Sequence, residues 1–127
     1  MNLLIQEQKD LLLKDLSARL PYKVYVQIPD EYGGYTSAIE SIDIDGFVKD
    51  FEGTQIEIEN IKPYLFPLSS MTEEQKEEYR ELCDTNGWGF DVRDACKLCN
   101  WLNKYHLDYN GLIDVGLAID CTNLNIY

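Results

Sequence analysis

The chain has 127 residues, 45% of them apolar, and a formal net charge of -12, which is typical of a single domain with an ordinary apolar core. The apolar content excludes intrinsic disorder, and the excess of 23 acidic over 11 basic residues argues against a groove that tracks nucleic-acid phosphates. No apolar run approaches the ~20 residues that a membrane-spanning helix needs. We therefore expect one domain over residues 1–127, no direct nucleic-acid ligand and no membrane partner.

The N-terminal segment predicts a helix over residues 1–20. Its leucines recur at helical spacing between Gln, Glu, Lys and Asp, and Pro21 ends the pattern. Residues 1–5 carry no basic group, so the segment does not resemble a secretory signal. The expected location is the cytoplasm.

The next segment, residues 22–66, predicts an antiparallel β-meander. Its alternation of apolar and polar residues slips between Ile39 and Ile42, which indicates a bulge. An extended stretch over residues 61–66 supplies a further strand that would close a small SH3-like barrel. The four strands of the meander are predicted over residues 23–28, 35–44, 47–51 and 54–59.

Pro63 and Pro67 mark the change from strand to helix. Because proline has no amide donor, we expect neither a helix interior nor a central strand here. Thr72 and Gln75 then form a capping-box pattern that predicts a helix over residues 72–84.

The remaining sequence, within a helical part over residues 72–127, predicts two more helices. After the break at Gly87-Trp88-Gly89, Asp91 caps a helix that runs to about His106. A short helix follows from Asp108 or Asn110 through Ile113, and Gly116 suits a left-handed C-terminal position. The fold class is therefore α+β: an N-terminal helix, a small β-meander or SH3-like barrel, and a C-terminal helical subdomain. The apolar face of the long helix comprises Ala95, Leu98, Trp101, Leu102 and Tyr105.

The solvent face of the β part is acidic and is the candidate surface for binding a partner. Lys49 is the only basic residue between positions 40 and 60. Such acidity suits a basic partner protein, although solubility alone also explains it. The seven candidate residues are Glu40, Asp43, Asp45, Asp50, Glu52, Glu57 and Glu59.

Cys96 and Cys99 form the one local motif with metal or thiol chemistry, and His106 is the only histidine. Structural zinc sites use about four such ligands and often two Cys-x2-Cys pairs, whereas a second pair is missing. We therefore favour free thiols packed as small apolar groups and a polar histidine at a helix end. No cofactor is expected.

No catalytic constellation is evident, so the sequence does not predict an enzyme. Glu57 and Glu59 share a strand face as paired glycosidase carboxylates do, but exposed alternate Glu residues are ordinary in strands. The segment Asp43-Ile44-Asp45-Gly46 resembles part of a calcium loop, but it lacks the remaining ligands and is better explained as a turn.

Two stretches, residues 62–74 (KPYLFPLSSMTEE) and 101–118 (WLNKYHLDYNGLIDVGLA), carry a resemblance. Together they resemble a family of small uncharacterised proteins encoded by phages and prophages of gut Bacteroidetes, over most of the chain from Leu16 onward. The resemblance implies an accessory phage product in the cytoplasm of a bacterial host. No known activity accompanies the family, so no catalytic residue is transferred.

Three functional hypotheses follow. The first is a non-enzymatic interaction module that binds a host or phage protein. A sharper form is a nucleic-acid mimic whose carboxylates occupy the basic groove of a host defence protein. The third is a small zinc-binding or thiol protein that uses Cys96 and Cys99. The oligomeric state is left open.

Overall fold

The computed structural model describes residues 4–84 and 89–127. This part of the chain has an α+β architecture with an N-terminal helix, a mostly antiparallel sheet and C-terminal helices. The helices are α1 (Gln6–Arg19), α2 (Glu73–Cys83) and α3 (Val92–Lys104). The strands are β1 (Tyr25–Gln27), β2 (Thr36–Ile42), β3 (Phe47–Asp50), β4 (Gln55–Glu57), β5 (Lys62–Pro67), β6 (Leu107–Asp108) and β7 (Ile119–Asp120).

Helix α1 packs its apolar face on the sheet. Leu12 and Leu16 are fully buried one turn apart, as the spacing of leucines predicts. The helix ends at Arg19, and Leu20–Tyr22 form a 3-10 turn that contains Pro21. The core that these leucines join includes Val24, Val26, Ile28, Ile39, Val48, Ile56, Ile58, Ile61 and Leu65.

Strands β1 to β4 form the predicted antiparallel meander. The register of β2 against β3 shifts between Ile39 and Ser41, which confirms the predicted irregularity. Val48 and Ile56 point into the core from β3 and β4, so Phe47 and Glu57 face solvent. Glu40 in β2 and Glu57 in β4 are exposed, whereas Asp50 in β3 is buried on the same side as Val48.

The sheet of the described residues is open. Its strand order is β4-β3-β2-β1-β5-β6, with β7 also paired to β5. Strands β6 and β7 run parallel to β5. Since β4 lies at one end of this order and β6 at the other, the closed SH3-like barrel is not confirmed.

The expectation that Pro63 cannot occupy a central strand is wrong, because β5 lies between β1 and β6. The register explains how the proline is tolerated. Pro63 lies opposite Val26 in β1. Hydrogen bonds join β1 to β2 two residues before and two residues after Val26, from Ile39 N to Val24 O and from Ile28 N to Tyr35 O. Because the bonded positions of an antiparallel pair alternate, the Val26 amide also points toward β2 and away from Pro63. Pro63 therefore needs no donor toward β1, and its other side is clear because β7 pairs only from Tyr64 onward.

Helices α2 and α3 begin with the two predicted caps. Thr72 and Gln75 form a reciprocal capping box, with Gln75 N 3.1 Å from Thr72 Oγ1 and Thr72 N 3.0 Å from Gln75 Oε1. Asp91 caps α3 by accepting from Asp94 N at 2.9 Å. Of the predicted apolar face of α3, Leu102 is buried and the other four residues are half-buried. Of the predicted break between the helices, Gly87 and Trp88 lie outside the described residues.

The predicted short helix after Asp108 is wrong, because residues 109–111 are irregular and residues 112–116 form turns. Asp108 is buried and its carboxylate accepts from the amides of Leu112 and Ile113, both at 2.9 Å, so a side chain replaces helical bonds. Gly116 has the predicted left-handed conformation, with φ of 79°. The C-terminal segment docks on the sheet: β7 pairs with β5, and Tyr127 donates to Tyr64 O at 2.8 Å.

Candidate functional site

Two of the seven candidate carboxylates stabilise turns of the β part. Asp43 Oδ1 accepts from the amides of Asp45 and Phe47 at 2.9 and 3.0 Å, which fixes the turn before β3. This confirms that the Asp43-Ile44-Asp45-Gly46 segment is a turn. The Asp43 carboxylate already accepts hydrogen bonds from two backbone amides, so it is a poor contact for a partner.

Asp50 is buried, with 1% of its surface exposed. Its Oδ1 accepts from the amides of Glu52 and Thr54, and its Oδ2 accepts from the Tyr35 hydroxyl at 2.5 Å. The hydrogen bond to Asp50 raises the pKa of Tyr35 because it stabilises the protonated hydroxyl. The sequence interpretation of Asp50 as a surface residue is wrong, since the pleat that turns Val48 inward also turns Asp50 inward.

Glu57 and Glu59 are coupled to each other and to α1. Lys9 Nζ lies 2.6 Å from Glu59 Oε2, and this bond, followed by a hydrogen bond with Glu57, lowers the pKa of Glu59. The hydrogen bond with Glu59 and the repulsion of its charge raise the pKa of Glu57. Glu57 is the exposed member of the pair, whereas Glu59 is half-buried and in contact with Lys9.

A cleft of about 350 Å³ lies between α1, the turn before β3 and the end of β4. Four of its side chains are carboxylates and one, Lys9, is basic. Its wall also carries Ile44, which is 93% exposed, and Phe47, which is 37% exposed. We call this the acidic cleft; it is lined by Gln6, Lys9, Asp10, Leu13, Ile44, Asp45, Gly46, Phe47, Glu57, Ile58 and Glu59.

The acidic cleft brings together three of the predicted residues, Asp45, Glu57 and Glu59, and leaves Glu40 and Glu52 exposed outside it. Sequence reasoning missed Asp10, Ile44 and Phe47 as members of the site. Asp10 lies on α1, far away in sequence, so only the packing of α1 on the sheet places it there. The juxtaposition of carboxylates with exposed apolar groups suits a Lys or Arg side chain, whose stem is apolar and whose end is cationic.

The cysteines are arranged differently from the sequence interpretation. Cys96 and Cys99 are exposed on α3, and Cys121 is buried. The interpretation of Cys96 and Cys99 as packed small apolar groups is therefore wrong: Ala95, Leu98 and Leu102 turn toward the protein, and the helical rotation leaves the two thiols outside that face.

His106 does not join the exposed thiols in a metal site. Its ring stacks on Tyr127 at 3.6 Å between centroids, and burial together with the nearby charge of Arg19 lowers its pKa to about 4. Within residues 4–84 and 89–127, no three Cys, His, Asp or Glu side chains are grouped closely enough to hold a metal ion.

A buried polar cluster, also missed from the sequence, lies beneath α1. Arg19 is fully buried against Asp15, and its guanidinium stacks 5.0 Å from the Tyr109 ring centroid. The Tyr109 hydroxyl in turn donates to Asn103 Oδ1 at 2.8 Å. Asp15 and Arg19 have the spacing of a surface helix pair, so the sequence holds no signal that distinguishes this buried pair from an exposed one. The cluster connects α1 to the C-terminal half and has no solvent-facing charge.

Comparison with known proteins gives no match: no family model, no curated protein and no solved structure corresponds to this chain. Among the described residues, no helix combines the length and apolar character needed to cross a membrane. The geometry of the acidic cleft is therefore the main basis for inferring a function.

Proposed function

We propose that this chain is a non-enzymatic interaction module that binds a basic partner protein at the acidic cleft. The observation that carries the proposal is the position of Ile44, 93% exposed on the wall of a cleft that also presents Asp10, Asp45 and Glu57. Exposed apolar side chains grouped beside carboxylates, as Ile44 and Phe47 are here, are typical of a surface that binds a partner. Binding would bury Ile44 and supply the counter-charge together.

The partner chemistry follows from the two kinds of group in the cleft. Glu57 lies directly opposite Phe47 across the β3–β4 pair. The two residues form a non-hydrogen-bonded pair, in which the side chains of neighbouring strands lie closest together. A Lys or Arg stem can lie on Phe47 and Ile44 while its charge meets Glu57 or Asp45. Lys9 forms its ion pair with Glu59 and also attracts Glu57, so a single lysine serves the four carboxylates that line the cleft.

The proposed setting is the cytoplasm of a Bacteroidetes host, with the chain acting as a phage or prophage accessory protein. This part rests on the resemblance of residues 62–74 and 101–118. A host or phage protein is then the partner.

The alternatives receive less support from the described residues. A nucleic-acid mimic needs a series of free carboxylates, whereas Asp43, Asp50 and Glu59 are bound within the protein. The zinc hypothesis needs a group of ligands, and none is formed within the described ranges.

Affinity capture from nuclease-treated host lysate, with three forms of the protein as bait, tests the proposal. We expect the wild type to retain a basic protein that the Asp45→Asn/Glu57→Gln variant loses. The control, Glu74→Gln/Glu81→Gln, removes the same charge from the exposed surface of α2 and should retain that protein. Moderate salt should weaken the retained complex. Equal capture by all three baits, or no basic protein on the wild type, would reject the proposal.

A further inference from the structure

Strand β4 has an open edge beside the acidic cleft. It is the terminal strand of the sheet order and pairs only with β3 among the described strands. An open edge presents backbone donors and acceptors to which an extended segment can pair.

The register identifies the backbone groups on that edge. Bonds join Ile58 N to Gly46 O at 2.8 Å and Asp50 N to Thr54 O at 3.1 Å. Hydrogen-bonded and non-hydrogen-bonded residue pairs alternate along an antiparallel pair of strands. Ile56 and Val48 therefore form the hydrogen-bonded pair between these two bonds. The N–H and C=O groups of Gln55 and Glu57 therefore point away from β3, toward the open side.

We propose that the edge of β4 accepts an extended segment of the partner as an added strand, in which basic and apolar residues alternate. This inference rests on the proposed function and specifies the form of its partner. The side chains of Gln55 and Glu57 are exposed, whereas that of Ile56 is buried. Residues of the added strand that neighbour Glu57 are therefore basic, and the alternate residues, on the face of Ile56, are apolar.

A second copy of this chain is a poor occupant of the same edge. Pairing β4 with β4 would bring two copies of the acidic cleft together, each from a chain of net charge -12. Like charges on neighbouring strands destabilise their pairing. The charge of the edge thus opposes self-association and favours a basic strand.

The test uses the full-length protein, isotope-labelled for NMR, and two peptides. The first is acetyl-KVKVKVK-amide; the second has the same sequence with N-methyl groups on alternate residues, which block strand pairing but keep the charge. We expect the first peptide to bind and to slow hydrogen exchange of the Gln55 and Glu57 amides on the order of tenfold. The N-methylated peptide should bind much more weakly.

A pair of variants separates the backbone from the side chain. Gln55→Pro removes the outward N–H without removing a bond to β3, because the Gln55 amide faces the open edge. Gln55→Ala keeps that N–H. We expect the affinity for acetyl-KVKVKVK-amide to fall at least about tenfold in the proline variant, because roughly one or two backbone hydrogen bonds are lost. The affinity should change little in the alanine variant.

The outcomes distinguish this inference from the function on which it rests. Equal binding of both peptides, with no protection of Gln55 and Glu57, would reject strand addition and leave the acidic cleft as a binding site for basic groups. Protection of these amides without peptide, as concentration rises, would show self-pairing and also reject the inference. If neither peptide binds even at low salt, the acidic cleft does not recognise basic polypeptides, and the proposed function fails as well.

Discussion

Asp15 and Arg19 form a fully buried ion pair one turn apart in α1, with Arg19 Nε 2.8 Å from Asp15 Oδ2. Arg19 Nη2 also donates to Leu107 O at 2.8 Å, and Asn110 Nδ2 donates to Asp15 Oδ1 at 2.8 Å. The pair therefore fixes α1 against the segment that contains β6. Its partners satisfy most of the polar atoms that burial removes from water.

Removing one member of this pair should be strongly destabilising. We expect Asp15→Ala to lower the free energy of unfolding by about 3–5 kcal/mol, because it leaves the Arg19 guanidinium buried and uncompensated. Urea denaturation followed by circular dichroism measures the change. The double variant Asp15→Leu/Arg19→Met removes both charges and should recover at least half of the loss. A double variant less stable than Asp15→Ala would contradict this account.

Acid should weaken the docking of His106. Because its pKa in the folded protein is about 4 and that of an unfolded histidine is about 6.5, the unfolded chain takes up the proton first as the pH falls. The stabilisation from neutral His106 is therefore complete above about pH 6.5 and is lost progressively toward pH 4, by on the order of 2–3 kcal/mol.

The variant His106→Asn tests this pH dependence. Asparagine suits the left-handed backbone at this position, where φ is 58°, and it does not titrate. We expect the stability difference between wild type and variant to shrink between pH 6.5 and 4 in thermal denaturation series. The comparison cancels the titration of the carboxylates, which both proteins share. A difference that stays constant with pH would exclude His106 as the titrating group.

Asp50 should behave as a structural residue rather than a partner contact. We expect Asp50→Ala to lower the free energy of unfolding by about 2–3 kcal/mol, because the Tyr35 hydroxyl and two turn amides lose their acceptor. The matched control is Glu52→Ala, which removes an exposed carboxylate and should change stability by less than about 0.5 kcal/mol. Similar losses for the two variants in chemical denaturation would show that the Asp50 bonds contribute little.

The four thiols should divide by exposure in an alkylation experiment. Cys83, Cys96 and Cys99 are exposed, whereas Cys121 is buried and its burial raises the pKa to about 11. Because the thiolate is the reactive form, iodoacetamide at pH 8 should modify the three exposed thiols of the native protein and spare Cys121. Peptide mass spectrometry identifies the sites, and denaturant should expose the fourth. Rapid native labelling of Cys121 would contradict its buried position.

Local signals in the sequence predict much of the secondary structure. The capping pair Thr72–Gln75, the cap at Asp91, the leucine spacing of α1 and the slip after Ile39 all depend on residues within a few positions of one another. Such interactions depend on backbone geometry that the residue types themselves favour. The predicted helix after Asp108 failed because a buried carboxylate bonds to two amides there, and its burial depends on distant residues.

The sequence by itself determined the α+β class, the main helices and the acidic character of the β part. Only the tertiary structure decided which carboxylates are free, because burial and pairing arise between segments distant in the chain: Lys9 reaches Glu59, and Tyr35 reaches Asp50. It likewise turned Asp15 and Arg19 from an ordinary surface spacing into a buried pair. The acidic cleft itself exists because α1 packs beside the end of β4, a contact that no local pattern encodes.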